Sequence, residues 1–290
     1  MTKPTNTQTA GLGIIAGGGS MPLCVAQAAA SAGRPIHIFG ISGTADSAIE
    51  AFPHNWINFG HIGKILSVSR AKNIHEMVIV GAVRRPAFRD IRLDFGALVN
   101  LPSLLSWTVG GDNSVLAGII GFFESKGFTV VGAHEIAPEL LAGQEIFTRR
   151  KPGKTDKADI AVGLNVVNAL GALDVGQAAV VAHQYVLAVE AAEGTDQMLD
   201  RCKSLNKRGE NSKGKRAGVL VKCAKPGQER RIDLPTVGPD TVRAVAEAGL
   251  AGIAIAANDV LIVNREEFIH SANKAGLFVV GVEPSAINLK

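Results

Sequence analysis

The sequence predicts an α/β protein of two domains, the first Rossmann-like with a mostly parallel sheet. Three observations carry that expectation. Apolar runs such as "GLGIIAGGG", "PIHIFGI", "MVIVGAV" and "LFVVGV" have the look of strands buried on both faces. Segments with helical spacing fall between them, the rhythm of parallel strands and covering helices. The 290 residues also exceed the length, about 250, at which single cores stop growing.

Taken in order, "GLGIIA" reads as a strand that runs into the loop Gly17-Gly18-Gly19-Ser20. "SMPLCVAQAAASAG" follows as a helix, with Ser20 as N-cap, Pro22 in the first turn and Gly33 as terminator. "PIHIFGI" and "MVIVGAV" are the next strands, and "SVLAGIIGFFESKG" is a helix leading into "FTVVGA". The charged, Pro-Gly-containing stretch 147–159 reads as a junction, dividing the chain into 1–146 and 147–290. Beyond it, "IAVGLNVVNALGALDVG" is helical, "AAVVAHQYVLAVE" strand-like, and "TDQMLDRC" opens another helix. "VLVKCAKPGQERRIDLP" reads as a strand, a Pro-Gly turn and a returning arm. The helices "PDTVRAVAEAGLAG" and "REEFIHSANKAG" then alternate with the strands "IAIA", "VLIVN" and "LFVVGV".

Composition bounds the function classes. The chain is 47% apolar and 5% aromatic, with a mean hydropathy of +0.20. No apolar run reaches the roughly 18 residues of a membrane span. "MTKPTNTQTA" lacks the apolar stretch of a signal peptide, so a cytoplasmic protein is expected. Cys24, Cys202 and Cys223 are widely spaced without C-x-x-C, as thiols of a reducing compartment are. The histidines form no zinc-ligand pattern. The net charge of +4 is local in origin: residues 201–216 carry +6, leaving −2 for the rest. Such a segment fits an anionic partner or a solvated loop.

Four places gather chemistry. Glycines at 17–19 let backbone N–H groups approach a phosphate at the start of a helix, or simply make a tight turn. The dinucleotide fingerprint is not met, because Pro22 stands where its last glycine belongs and no acid closes "PIHIFGI". In "VEAAEGTDQM", Thr195 suits a helix cap and Asp196 the first-turn dipole. Glu190 and Glu193 beside Asp196 repel unless a cation or hydrogen-bond donors compensate, and Mg²⁺ with oxygen ligands is one such compensation. At the Pro226-Gly227 turn cluster Lys222, Lys225, Gln228, Arg231 and Asp233, either as a solvated hairpin tip or as an anion-handling site. Last, Arg84 and Arg85 follow a buried strand, and Asp112 and Asn113 precede a helix as ligand contacts or caps.

The segments "GIIAGGGSMP", "GAVRRP", "GGDNSVL", "VLAVEAAEGTDQM", "VKCAKPGQERRIDLPTVG" and "GLFVVG", in this order, resemble the LpxI-type UDP-2,3-diacylglucosamine pyrophosphatases. The resemblance spans about Gly11 to Val282. One departure is Glu229, at a position where the resemblance leads one to expect an aspartate.

The resemblance implies a Mg²⁺-dependent cytoplasmic hydrolase of lipid A synthesis. It would cut UDP-2,3-diacylglucosamine into UMP and 2,3-diacylglucosamine 1-phosphate (lipid X). It also implies a homodimer, with substrate held between two domains. On that basis Asp233 is the expected catalytic carboxylate, with Lys222 and Lys225 on the pyrophosphate and Glu193 beside them. Gly17, Gly18, Gly19, Ser20, Arg84, Asp112, Thr195 and Gln228 are expected substrate contacts, and Asp196 and Glu190 expected metal ligands. The basic segment would be a lid or a contact with anionic lipid on the inner membrane. Competing readings are a nucleotide-dependent oxidoreductase and a nucleotide-binding regulator without catalysis. Nucleic-acid binding is disfavoured by the scarcity of aromatic stacking platforms.

Overall fold

Buried apolar strands organise each half of the chain. In the computed structural model, which describes residues 10–83, 94, 112–206 and 216–284 (backbone alone at 112–114 and 206), two compact units separate after Pro138. The first unit also contains Glu229–Asp233; the second comprises Glu139–Gln228 and the chain from Leu234 onward.

The first unit is a parallel five-stranded sheet. Its strands are β1 (Gly11–Ala16), β2 (Ile36–Ile41), β3 (His54–Ile57), β4 (Ile74–Val80) and β5 (Thr129–Val130). Their order, β3-β2-β1-β4-β5, is that of a doubly wound fold, with the reversal between β1 and β4. Every residue of β1 is buried, as its unbroken apolar sequence requires. Among the described residues its α-helices are α1 (Met21–Ser31), α2 (Ile62–Ala71), α3 (Asp112–Ser125) and α4 (Ala133–Ile136). Phe39, Ile65, Met77, Phe123 and Phe128 belong to one core cluster of this unit. Gly33, at φ +71°, ends α1 as the sequence predicts. Ser20 occupies the N-cap position, yet its hydroxyl makes no cap bond.

The second unit holds α5 (Lys154–Ala172), β6 (Ala178–Ala182), β7 (Tyr185–Val189), α6 (Gly194–Asn206), β8 (Val219–Lys222) and β9 (Thr236–Val237). These are followed by α7 (Pro239–Glu247), β10 (Gly252–Ala256), β11 (Leu261–Ile262), α8 (Arg265–Lys274) and β12 (Phe278–Val282). The sheet order is β12-β10-β8-β6-β7, with β9 and β11 as a separate pair. β12, β10 and β8 run parallel, whereas β6 is antiparallel to β8, and β7 to β6. α5 packs across β6 and β8, and Gly163 lets it approach closely, since a Cβ there would collide with Val221.

Two expectations change here. "AAVVAHQYVLAVE" is a hairpin rather than one strand, turning at His183 and Gln184, whose φ values are +53° and +63°. Both turn amides donate to the buried carboxylate of Asp159 on α5, at 3.1 and 2.6 Å. The segment after β8 forms no returning strand; the next strand is β9, and residues 229–233 join the first unit. Among the described residues no helix is long and apolar enough to cross a membrane.

Candidate functional site

β8 lies between β6 and β10, so its last side chain starts deep in the second unit. That side chain is Lys222, only 7% exposed. A buried ammonium requires compensation, because desolvation opposes its charge. Its Nζ donates to Thr195 Oγ1 at 3.0 Å and to the Thr236 carbonyl at 3.2 Å. Thr195 Oγ1 in turn donates to Glu190 Oε1 at 2.7 Å. Glu190 is itself 5% exposed, and its other oxygen accepts the Gln177 amide at 3.1 Å. A lysine and a carboxylate are thus linked through one hydroxyl at the carboxyl end of a central strand, where α/β sheets bind ligands.

The carboxylates that repel on paper are separately compensated. Thr195 and Gln177 serve Glu190, while Arg201 pairs with Glu193 at 2.6 Å and also reaches the Val189 carbonyl. Asp196 is exposed in the first turn of α6. Thr195 was expected to cap this helix, but its hydroxyl faces Glu190 and Lys222 instead. Among the described residues no group of three or more His, Cys, Asp or Glu is placed to hold a metal.

The Pro226-Gly227 turn is closed by Gln228 N donating to the Lys225 carbonyl, with Gly227 at φ +74°. Gln228 is buried and returns the bond, its Oε1 accepting the Lys225 amide at 2.8 Å. Lys225 Nζ reaches Asp174 at 2.6 Å. The first two parts of this bend's polar density are therefore a buried lysine before it and a self-bonded turn within it.

Residues 229–233 carry the third part. Arg231 forms a fork onto Glu229, with Nε to Oε1 and Nη2 to Oε2 both at 2.9 Å. Its Nη1 reaches Glu124 Oε1 on α3 at 2.8 Å. The fork holds the Glu229 carboxyl below its usual range. The Glu229 carbonyl accepts the amides of Ile232 and Asp233, and Ile232 packs against the core of the first unit. Asp233 is half-buried and belongs to the first unit, whereas Lys222, Glu193 and Thr195 belong to the second.

In the glycine loop, Gly17 is demanded by packing: a Cβ would stand 2.7 Å from the Ala82 carbonyl oxygen. Gly18 and Ala82 form a bridge that ties the loop to the end of β4. Gly19, at φ +85°, has open space where a Cβ would point. Arg84 and Arg85 lie outside the described residues, and Asp112 is described only by its backbone at the start of α3. Of the basic segment, Arg201 pairs with Glu193, Lys203 with Asp200 and Glu247, and Arg216 with the Ala275 carbonyl, while 207–215 lie outside the described residues.

Sequence reasoning did not find Gln177, Asp174 or Glu124, partners that lie 13, 51 and 107 positions from the groups they bond. Thr195 was visible as a polar residue after a strand, but its bond to Glu190 required the turn between them to be known.

Comparison with known proteins agrees with this architecture. The model of the LpxI N-terminal domain matches residues 11–140, and that of the LpxI C-terminal domain matches 143–280. The UDP-2,3-diacylglucosamine pyrophosphatase LpxI of Caulobacter vibrioides is 40% identical over 273 residues, covering 94% of this chain and 98% of that protein. With both family domains matched in order, the C-terminal one containing the buried lysine of β8, the chain belongs to the LpxI family.

Proposed function

We propose that the protein hydrolyses the pyrophosphate bond of UDP-2,3-diacylglucosamine, releasing UMP and lipid X, within lipid A synthesis. The observation that carries this is the buried Lys222 ammonium, bonded to Thr195 at the end of β8, in a chain so similar to a pyrophosphatase of that name. A diphosphate is recognised chiefly by cations and donors fixed in place, and its hydrolysis gains most from charge neutralisation and positioning.

In the proposed reaction water adds its oxygen to one phosphorus, the bridging P–O bond breaks, and the water proton passes to Asp233. Lys222 faces a phosphate oxygen, with Thr195 fixing the direction of its ammonium. Gly19 and Ser20 offer backbone N–H groups to an anion at the start of α1. Arg201 keeps Glu193 in place beside the first turn of α6. Lys225 and Gln228 hold the turn that carries the chain from Lys222 to Asp233.

Mg²⁺ remains part of the proposal. Both Glu190 oxygens are occupied by protein donors, so Asp196, exposed in the first turn of α6, is the carboxylate suited to it. Magnesium binds through one or two carboxylates plus substrate phosphates and waters, and it would neutralise charge on the diphosphate. We further propose a cytoplasmic homodimer with peripheral contact to anionic lipid.

The test is incubation with UDP-2,3-diacylglucosamine, with and without Mg²⁺, resolving products by mass spectrometry. UMP and lipid X in equal amounts are expected, with loss of turnover in chelator. Intact substrate under all conditions would refute the assignment.

A further inference from the structure

Asp233 sits on a segment that belongs to no helix or strand. A general base must be held within a fraction of an ångström of its working position. The backbone bonds from Ile232 and Asp233 to the Glu229 carbonyl are local, so side chains help to fix the segment within the unit. Ile232 supplies one attachment, its side chain packed against the core that contains Phe123 and Phe128. An apolar anchor sets depth without fixing direction. Arg231 supplies the second attachment: its fork closes on Glu229 while its remaining nitrogen reaches Glu124, near the end of α3. The Glu229 carbonyl then accepts the Asp233 amide at 2.9 Å, so whatever fixes Glu229 also fixes the backbone of Asp233.

We infer that the Glu229–Arg231–Glu124 clamp is the positioning device for Asp233, with Arg231 as its pivot. This rests on the reading of Asp233 as the catalytic carboxylate. The glutamate at 229, longer than the aspartate expected there, has the length to turn back bidentately on a residue only two positions away. Because Arg231 and Glu124 are 35% and 46% exposed, the ion pairs contribute little to stability. Turnover, however, depends steeply on the placement they enforce, about 100-fold for a 1 Å error. Stability and rate should therefore separate.

The experiment uses the full chain with UDP-2,3-diacylglucosamine, comparing wild type, Arg231→Ala, Arg231→Lys, Glu124→Ala, Asp233→Asn and the Arg231→Ala/Asp233→Asn double variant. Arg231→Ala should lower kcat about 10–100-fold with KM within about twofold. Its melting temperature should move by about 3 °C or less, in keeping with an exposed pair. Arg231→Lys keeps the charge without the fork and should restore only part of the loss; Glu124→Ala should fall in the same direction. In single turnover, adding Arg231→Ala to Asp233→Asn should cost nothing further, since a positioning residue has nothing left to position. Losses that multiply in the double variant, a raised KM with unchanged kcat, or a normal Arg231→Ala enzyme would each overturn the clamp. If instead Asp233→Asn turns over at the wild-type rate, the catalytic reading itself falls, a result distinct from any of those.

Discussion

Thr195 accepts from a buried ammonium and donates to a buried carboxylate, so its hydroxyl matters to two groups at once. Thr195→Val keeps the shape and should leave both short of a partner, destabilising by about 1–3 kcal/mol in urea titration; Thr195→Ser should restore most of it. Glu229, bonded to Arg231, contributes a small pH-dependent share of stability. Its carboxyl is depressed below the usual 4.5, first by the side-chain bonds from Arg231. The contribution is therefore fully present above that usual value and lost as pH falls through the depressed one. The small stability gap between wild type and Glu229→Gln should narrow on acidification from neutral pH through the depressed titration of Glu229. Burial pushes the Cys223 thiol up to about 12, which leaves almost no thiolate at neutral pH. Alkylation followed by peptide mass mapping should label Cys223 only when the protein unfolds.

Among elements, the β6–β7 hairpin shows where reading a sequence stops. Asn-Gly or Asp-Gly at a turn announces left-handed backbone, but His183-Gln184 does not. What holds the turn is Asp159, 24 and 25 positions earlier on α5, with both turn amides on its buried carboxylate. Asp159→Ala should cost about 1–3 kcal/mol, because two amides lose their acceptor; equilibrium urea unfolding measures it, and an unchanged midpoint would refute the role. By contrast, β1, β10 and β12 were legible because each is an unbroken apolar run, and β2 and β4 because apolar stretches remain beside His37 in β2 and after His75-Glu76 in β4. β3 and α2 were not singled out: "HNWI" mixes polar with apolar side chains, and α2 follows without a strong cap. The chemistry-bearing residues were legible as types, since a lysine ending a buried strand demands an anion or an acceptor. Their partners were not, because contacts such as Lys222 with Thr195 are made through folding, 27 positions apart.

At the scale of the molecule, the two-unit α/β organisation followed from length and from the alternation of strands and helices, and the family from motifs spread along the chain. The excursion of 229–233 into the first unit had no sequence signal, since five residues hold too little pattern to announce where they pack. A ligand that binds only the native state raises its stability, by about 2.7 kcal/mol at a hundredfold excess over Kd. Asp233→Asn mixed with UDP-2,3-diacylglucosamine should therefore melt at higher temperature than alone, and no shift under saturating substrate would count against the proposed binding.

The path of the chain through Glu229–Asp233 bears on how such a protein can be rebuilt. A gene fragment stopping after Pro138 would encode a Rossmann-like half missing five of its own residues, Ile232 among them, and the complementary fragment would carry those residues as an orphaned loop. Neither half is a portable cassette. Shuffling between homologues should succeed only when crossovers exchange 229–233 together with the N-terminal half.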